Sequence, residues 1–310
     1  GELGSSFKEL GGGVSSWISE TIGHKMAYYA GWTYWVVHLP YISQKPQGAI
    51  IAGSWAIFQS NAISNINPVA LQISCLVVFL IGLLIATKGM NPLKKIATIA
   101  GTSMFVMSIL FIILMISAPA ITGGNFIDID WSLKTFMPTF DLKYFTSISI
   151  LVFAVGGCEK ISPYVNKMDE PSKGFPKGMI TLAIMVAVCA ILGTISLGMM
   201  FDSNNIPQDL LTNGAYYAFQ RLGEYYNVGN LFVILYAITN FIGQVSTLII
   251  SIDAPLRMLL ESCDKEYMPR SMFKQNKYGA YTNGNKLIGV IVSILIIIPA
   301  FGIGSVDALV

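Results

Sequence analysis

Seven long apolar stretches constrain this chain more than any other feature. They run approximately over 26–58, 68–87, 96–121, 144–165, 179–201, 231–252 and 287–303. Each is near the roughly 20 residues that a helix needs to cross a bilayer. In hydrocarbon every backbone N–H and C=O must be satisfied within the segment, so runs of this kind can only be helices. The expected fold class is therefore all-α: a polytopic membrane protein, built as one transmembrane domain. Charge density agrees, because 12% of the 310 residues are charged, about half the roughly 25% of a soluble domain. The net charge of +2 does not point to nucleic acid, since the basic residues lie in short blocks between apolar runs. Cys75, Cys158, Cys189 and Cys263 have neither metal nor redox spacing, so no cofactor, metal or disulfide framework is expected.

Charge also orients the chain. Of its 19 Lys and Arg, only Lys134, Lys143 and Arg221 fall in the loops on one side, and Lys45 stays inside a span. The richer side is cytoplasmic by the positive-inside rule, which makes this a multi-pass protein of the cytoplasmic membrane. Two longer linkers, 122–143 and 202–229, carry aromatics and acids and are expected to hold short interfacial helices.

One span is interrupted. Stretch 144–165 begins as an apolar helix over 148–155 and should break at Gly156 and Gly157, with Glu159 following at once. A charged, Pro-containing turn over 167–177 comes next. Loosened backbone is tolerated in a bilayer only where it faces protein or a polar cavity. A carboxylate there costs roughly 2.5–3.5 kcal/mol on insertion scales, which makes it a functional candidate. A broken helix beside an ionisable residue is how secondary transporters hold a substrate. Gly156 and Gly157 either present N–H groups to an anionic substrate group or serve close helix packing. Glu159 is either a proton-sensing or gating acid, or a structural carboxylate bonded to backbone freed by the break.

Stretch 26–58 adds Tyr34, Trp35, His38, Tyr41 and Lys45. Positions 38, 41 and 45 share one helical face, and a polar stripe on a membrane helix faces the bundle interior. Tyr34, Trp35 and His38 are substrate-binding candidates. From Met26 to Lys45 a helix climbs about 28 Å at 1.5 Å per residue. Lys45 therefore either snorkels at the outer interface or lies inside on the face of His38 and Tyr41, and the apolar run beyond it favours the inner, gating position. Asp253 and Arg257, spaced i,i+4 near the cytoplasmic end of 231–252, are expected to be a surface pair or a helix-end contact.

At Gly156-Gly157-x-Glu159, continued by Asn166-Lys-Met-Asp-Glu-Pro171 and Phe175-Pro176-Lys-Gly, the chain resembles the amino acid–polyamine–organocation permeases, in particular their glutamate/GABA antiporter branch. Gly1-Glu-Leu-Gly-Ser-Ser-Phe with Gly11-Gly-Gly-Val-Ser-Ser-Trp17 is similar to the end of that family's second helix and its following loop. Ala254-Pro-Leu-Arg257, Tyr267-Met-Pro269 and Asn276-Lys-Tyr-Gly279 are similar to its eighth-helix end and cytoplasmic turn. The resemblance implies two inverted five-helix repeats, with substrate held where helices one and six unwind. It numbers 26–58 as the third of twelve helices and 287–303 as the ninth. The chain then reads as a fragment: 1–24 ends helix two and its loop, 26–121 holds three spans of the first repeat, and 144–303 holds four of the second. Phe153, with Ala154 beside it, falls where such transporters place an aromatic over the substrate, although many have Trp there.

The implied function is secondary transport of amino acids by alternating access, with a proton or counter-substrate as the coupling partner and glutamate- or GABA-like substrates. A membrane receptor or channel without transport coupling is the rival, but its spans would not need a broken helix. An intramembrane enzyme would need clustered acids or a Ser/His/Asp set, and one His and one Glu on separate helices fall short.

Overall fold

The computed structural model describes residues 2–122, 156–168, 170–201, 209–262 and 265–301, with isolated positions between 132 and 148. The α-helices, in chain order, are α1 (Glu2–Ser6), α2 (Val14–Thr21), α3 (His24–Phe58), α4 (Pro68–Ala86), α5 (Met90–Thr122), α6 (Pro171–Met200), α7 (Leu210–Tyr225), α8 (Leu231–Ser262) and α9 (Thr282–Ile297). Within the described residues the only strand-like pairing is one bridge, Gln275 to Tyr281. Five segments, Pro68–Ala86, Pro92–Ile121, Pro171–Met200, Leu231–Ser262 and Thr282–Phe301, are long and apolar enough to cross a membrane. They carry five of the seven expected stretches, and the chain is an all-α polytopic membrane protein.

The outer faces confirm the solvent. On α4, Val69, Ile73, Val77, Leu80 and Leu84 recur at helical spacing and are all exposed, as are Ile180, Ile184, Val188 and Ile191 on α6. Stripes of that size are tolerated by lipid, not by water. The remaining two stretches differ. Helix α3 has 35 residues, about 52 Å of helix, but His38, Gln44, Lys45 and Gln47 leave it too polar to join the five on composition. Stretch 144–165 lies mostly outside the described residues. Its end, expected to be membrane α-helix, is a 3-10 segment, Cys158–Lys167.

The local chemistry accounts for that correction. Gly157 has φ +106° and ψ −7°, a left-handed conformation open to glycine. In an α-helix residue 163 would donate its N–H to the carbonyl of Glu159, but Pro163 has none. The Ser162 hydroxyl takes that carbonyl instead, at 2.6 Å, and its oxygen accepts the N–H of Val14 at 3.3 Å.

The core lies between α3, α8, α4 and α9. Trp35, Leu39, Ile42, Phe79, Leu248, Ile252, Leu256, Ile288 and Val292 form one buried cluster. Gly31 allows α3 to approach α8, since a Cβ there would sit 3.1 Å from Leu259 Cα; small residues serve this purpose in membrane bundles. A second cluster at the far end joins Trp55, Phe111, Met115, Phe219, Leu222 and Val233. Helix α7 is the short helix expected within 202–229. It buries Asn213, Tyr216, Phe219 and Leu222 while Leu211 stays exposed.

Candidate functional site

The glycine turn in the fourth expected stretch is held by its own acid. Glu159 turns back so that Oε2 accepts the N–H of Gly157 at 2.9 Å. Its Oε1 accepts the hydroxyl of Tyr34, on α3, also at 2.9 Å. One carboxylate thus satisfies backbone freed by the glycine and fastens the 3-10 segment to α3. Hydrogen bonds to charged groups are worth about 1.5–3 kcal/mol each, enough to make this clasp a definite state. One turn along α3, His38 Nδ1 donates to the carbonyl of Tyr34 at 2.7 Å, and the two rings lie 4.2 Å apart. Tyr41 follows, its ring 5.7 Å from that of His38.

Two ammonium groups meet the Tyr41 ring. Lys160 Nζ lies 4.0 Å from its centroid and Lys45 Nζ 4.2 Å. Lys160 also reaches α8, donating to Ser251 Oγ at 3.4 Å. Beside this group is a cavity of about 800 Å³. Its polar wall is Gly156, Gly157, Cys158, Lys160, Tyr41 and Ser251; α6 supplies an apolar wall of Met179, Ala183, Val186 and Ala187.

The candidates named from sequence are distributed as follows. Gly156 and Gly157 line the cavity. Tyr34 and Glu159 are joined, with His38 against Tyr34. Lys45 is half-buried on the Tyr41 ring. Trp35 is turned the other way, buried in the core with Leu39 and Ile252. Phe153 and Ala154 lie outside the described residues. The N–H of Gly157 is not open to a ligand, because Glu159 holds it. Lys160 and Ser251 were not singled out; they sit next to Glu159 and on a plain apolar helix, and only the packing of three helices joins them. Among the described residues no His, Cys, Asp and Glu cluster could hold a metal ion.

The expected surface pair Asp253–Arg257 is buried instead. Its side chains are 6% and 2% exposed. Arg257 donates Nε to Asp253 at 2.6 Å, one terminal nitrogen to Glu261 at 2.9 Å and the other to the carbonyl of Gly279 at 2.9 Å. Tyr164, from the 3-10 segment, donates to Asp253 at 2.7 Å. A buried pair survives when its remaining hydrogen-bonding capacity is filled, and here all three guanidinium nitrogens have acceptors. The network ties the broken segment, α8 and the turn before α9 together.

At the other end of the bundle, Asp209 precedes α7. It accepts from Tyr217 at 2.8 Å and from Asn61 and Asn213 at 3.0 Å. Burial pushes its carboxyl up, but these donors prevail and hold it below the usual carboxylate value. Burial, together with Asp209, pushes the Tyr217 hydroxyl up to about 12.

Comparison with known proteins agrees with this architecture. The family model described as amino acid permease matches residues 1–310. The chain is 51% identical over 313 residues to the aspartate/glutamate permease AcaP of Lactococcus lactis subsp. cremoris (strain MG1363), covering 100% of this chain and 64% of AcaP. It is 22% identical over 336 residues to the inner membrane transporter YjeM of Escherichia coli (strain K12), covering 99% of this chain and 66% of YjeM. The glutamate/gamma-aminobutyrate antiporter of Lactococcus lactis subsp. lactis (strain IL1403) is 23% identical over 303 residues, with 95% and 58% covered. The chain thus spans between 58% and 66% of the length of these relatives. With the match running through all the described helices and the break at Gly157, this chain belongs to the amino acid permease family.

Proposed function

We propose that this chain forms the substrate-binding part of an amino-acid transporter that works by alternating access. The observation that carries this reading is the clasp of Glu159 on Tyr34 and Gly157, placed at the left-handed turn of Gly157 beside a cavity of about 800 Å³. The 3-10 segment, Tyr41 of α3, α6 and α8 all line that cavity, so a molecule that fills it is in contact with each of them. Opening the clasp frees the 3-10 segment to move relative to α3; closing it restores one rigid wall. The inverted-repeat organisation fits a site of this kind, because such sites form where broken helices of two repeats meet.

The similarity to AcaP favours aspartate and glutamate as substrates. The similarity to the glutamate/gamma-aminobutyrate antiporter favours exchange against a second amino acid as the driving process. Proton coupling is the other route, with Glu159 as its candidate acid, bonded to Tyr34 and near His38 on α3, and with the Lys160 ammonium acting on it only through space. The test is uptake of labelled aspartate and glutamate by the full-length protein in proteoliposomes. It is run with and without a pH gradient, and with and without unlabelled amino acid inside. Saturable uptake stimulated by one of these conditions is expected. No amino-acid flux under any of them overturns the reading.

A further inference from the structure

Glu159 and Lys160 are neighbours in sequence but diverge in space. Glu159 folds back onto Gly157 and Tyr34, whereas Lys160 crosses toward Tyr41 and Ser251 on the wall of the cavity. The partners of Lys160 there are the hydroxyl of Ser251 and the ring and hydroxyl of Tyr41. A ring face attracts a cation through its quadrupole, but it brings no charge. Lys45 stands against the same ring. Among the described residues the ion pairs are Lys173 with Glu170, and Arg257 with Asp253 and Glu261; neither Lys45 nor Lys160 takes part in one. The acid nearest in sequence, Glu159, acts on Lys160 through space but makes no direct contact with it, its oxygens bonding Tyr34 and the Gly157 N–H.

The rest of the cavity makes this arrangement costly. Ile161, Leu182, Val186 and Ile250 line it, and a charge among apolar groups in a membrane calls for a counter-charge. A zwitterionic amino acid does not bring one, since its own carboxylate and ammonium cancel. A dicarboxylic amino acid does, because its side chain adds a net negative charge. We propose that Lys160 binds the side-chain carboxylate of a dicarboxylic amino acid, with Lys45 behind Tyr41 adding to the positive field, and so separates aspartate and glutamate from their amides. Ser251 and Tyr41 hold the Lys160 ammonium at the cavity wall. A lysine suits this task as a compact point charge whose position is set by such neighbours.

This assignment rests on the transport reading and deepens it by naming the side chain that reads the substrate's charge. It is tested on full-length protein, wild type against Lys160→Met and Lys160→Arg. The readouts are the concentrations of aspartate and of asparagine that half-saturate binding in isothermal titration calorimetry, together with the KM of aspartate uptake. The melting temperature without ligand reports folding directly. Lys160→Met is expected to raise the half-saturating aspartate concentration about tenfold or more, the scale of one lost charge-assisted contact. Asparagine should move less than about twofold, and Lys160→Arg should restore most of the aspartate affinity. An equal loss for aspartate and asparagine, or no loss for aspartate, overturns the assignment. Should Lys160→Met fail to fold, Lys160→Arg decides: aspartate still preferred over asparagine supports the charge, and a lost preference contradicts it. Wild-type protein that transports no amino acid fails the transport reading itself, whereas wild-type transport with Lys160→Met unchanged discards only the role of Lys160.

Discussion

Replacing Arg257 by methionine removes three hydrogen-bond donors from a site where the guanidinium side chain is 2% exposed. Methionine fills a comparable volume, so the loss is chiefly electrostatic. Asp253, 6% exposed, is left with Tyr164 alone. Glu261, 18% exposed, retains partial access to solvent, and the carbonyl of Gly279 loses its donor. Removing one partner of a buried pair costs about 3–5 kcal/mol, because the other charge stays behind uncompensated. At about 2.1 cal/mol/K per residue a chain of 310 residues shifts by about 1.5 °C per kcal/mol, so the melting temperature of Arg257→Met in detergent should fall by about 5–8 °C. The triple variant Arg257→Met, Asp253→Asn, Glu261→Gln removes the stranded charges and should recover more than half of that fall. A drop below about 2 °C for the single variant, or a triple variant less stable than the single one, refutes the argument. Either would mean that the network is solvated and that Tyr164 is not held to α8 through it.

Two further outcomes follow from the same geometry. Glu159→Gln keeps one acceptor oxygen for the Gly157 N–H and turns its amide NH2 to donate to the Tyr34 hydroxyl oxygen, so the protein should remain folded in the membrane while the pH dependence of uptake between about pH 5 and 8 is abolished or shifted; a wild-type profile rules out Glu159 as the proton-responsive group. Asp209, held below its ordinary value of 3.8 in the folded protein, contributes stability that is complete above that ordinary value and fades as pH falls toward and through the lowered one. The difference in melting temperature between wild type and Asp209→Asn should therefore narrow below about pH 4, and a difference that widens on acidification contradicts the role of its three donors.

Much of the fold was legible because lipid is a severe solvent. Five of the seven apolar stretches are the five spanning segments, since a run near 20 residues without charge has no other stable use. The left-handed turn at Gly157 and the partnering of Glu159 follow from the same severity: polar groups in such runs need partners, and Tyr34 and Glu159 found each other. What stayed hidden was direction. Trp35 and Tyr34 are adjacent, and nothing in the sequence says which one turns toward α8's apolar face. Spacing of i,i+4 places Asp253 and Arg257 on one face but does not tell whether that face meets water or Tyr164. Lys160 was obscured by its neighbour, because charges at i and i+1 suggest a pair only until the backbone around Gly157 is known. The 3-10 form of Cys158–Lys167 depends on Pro163 withholding one donor and Ser162 replacing it. That detail becomes decisive only in three dimensions.

The account turns on substrate lying at the break, and Cys158 offers a direct probe of that position. Its thiol is free and exposed, and the residue lines the cavity between Gly157 and Lys160. Cys75 is buried, and Cys189 lines a separate cavity between α5, α6 and α7. In the full-length protein, the rate at which a small thiol reagent modifies Cys158, followed by mass spectrometry of its peptide, should fall severalfold when aspartate is raised to saturation. Cys189 in the same sample should be unaffected. Modification of Cys158 at an unchanged rate, under conditions where the same preparation shows saturable amino-acid uptake, would place the substrate elsewhere and contradict the account.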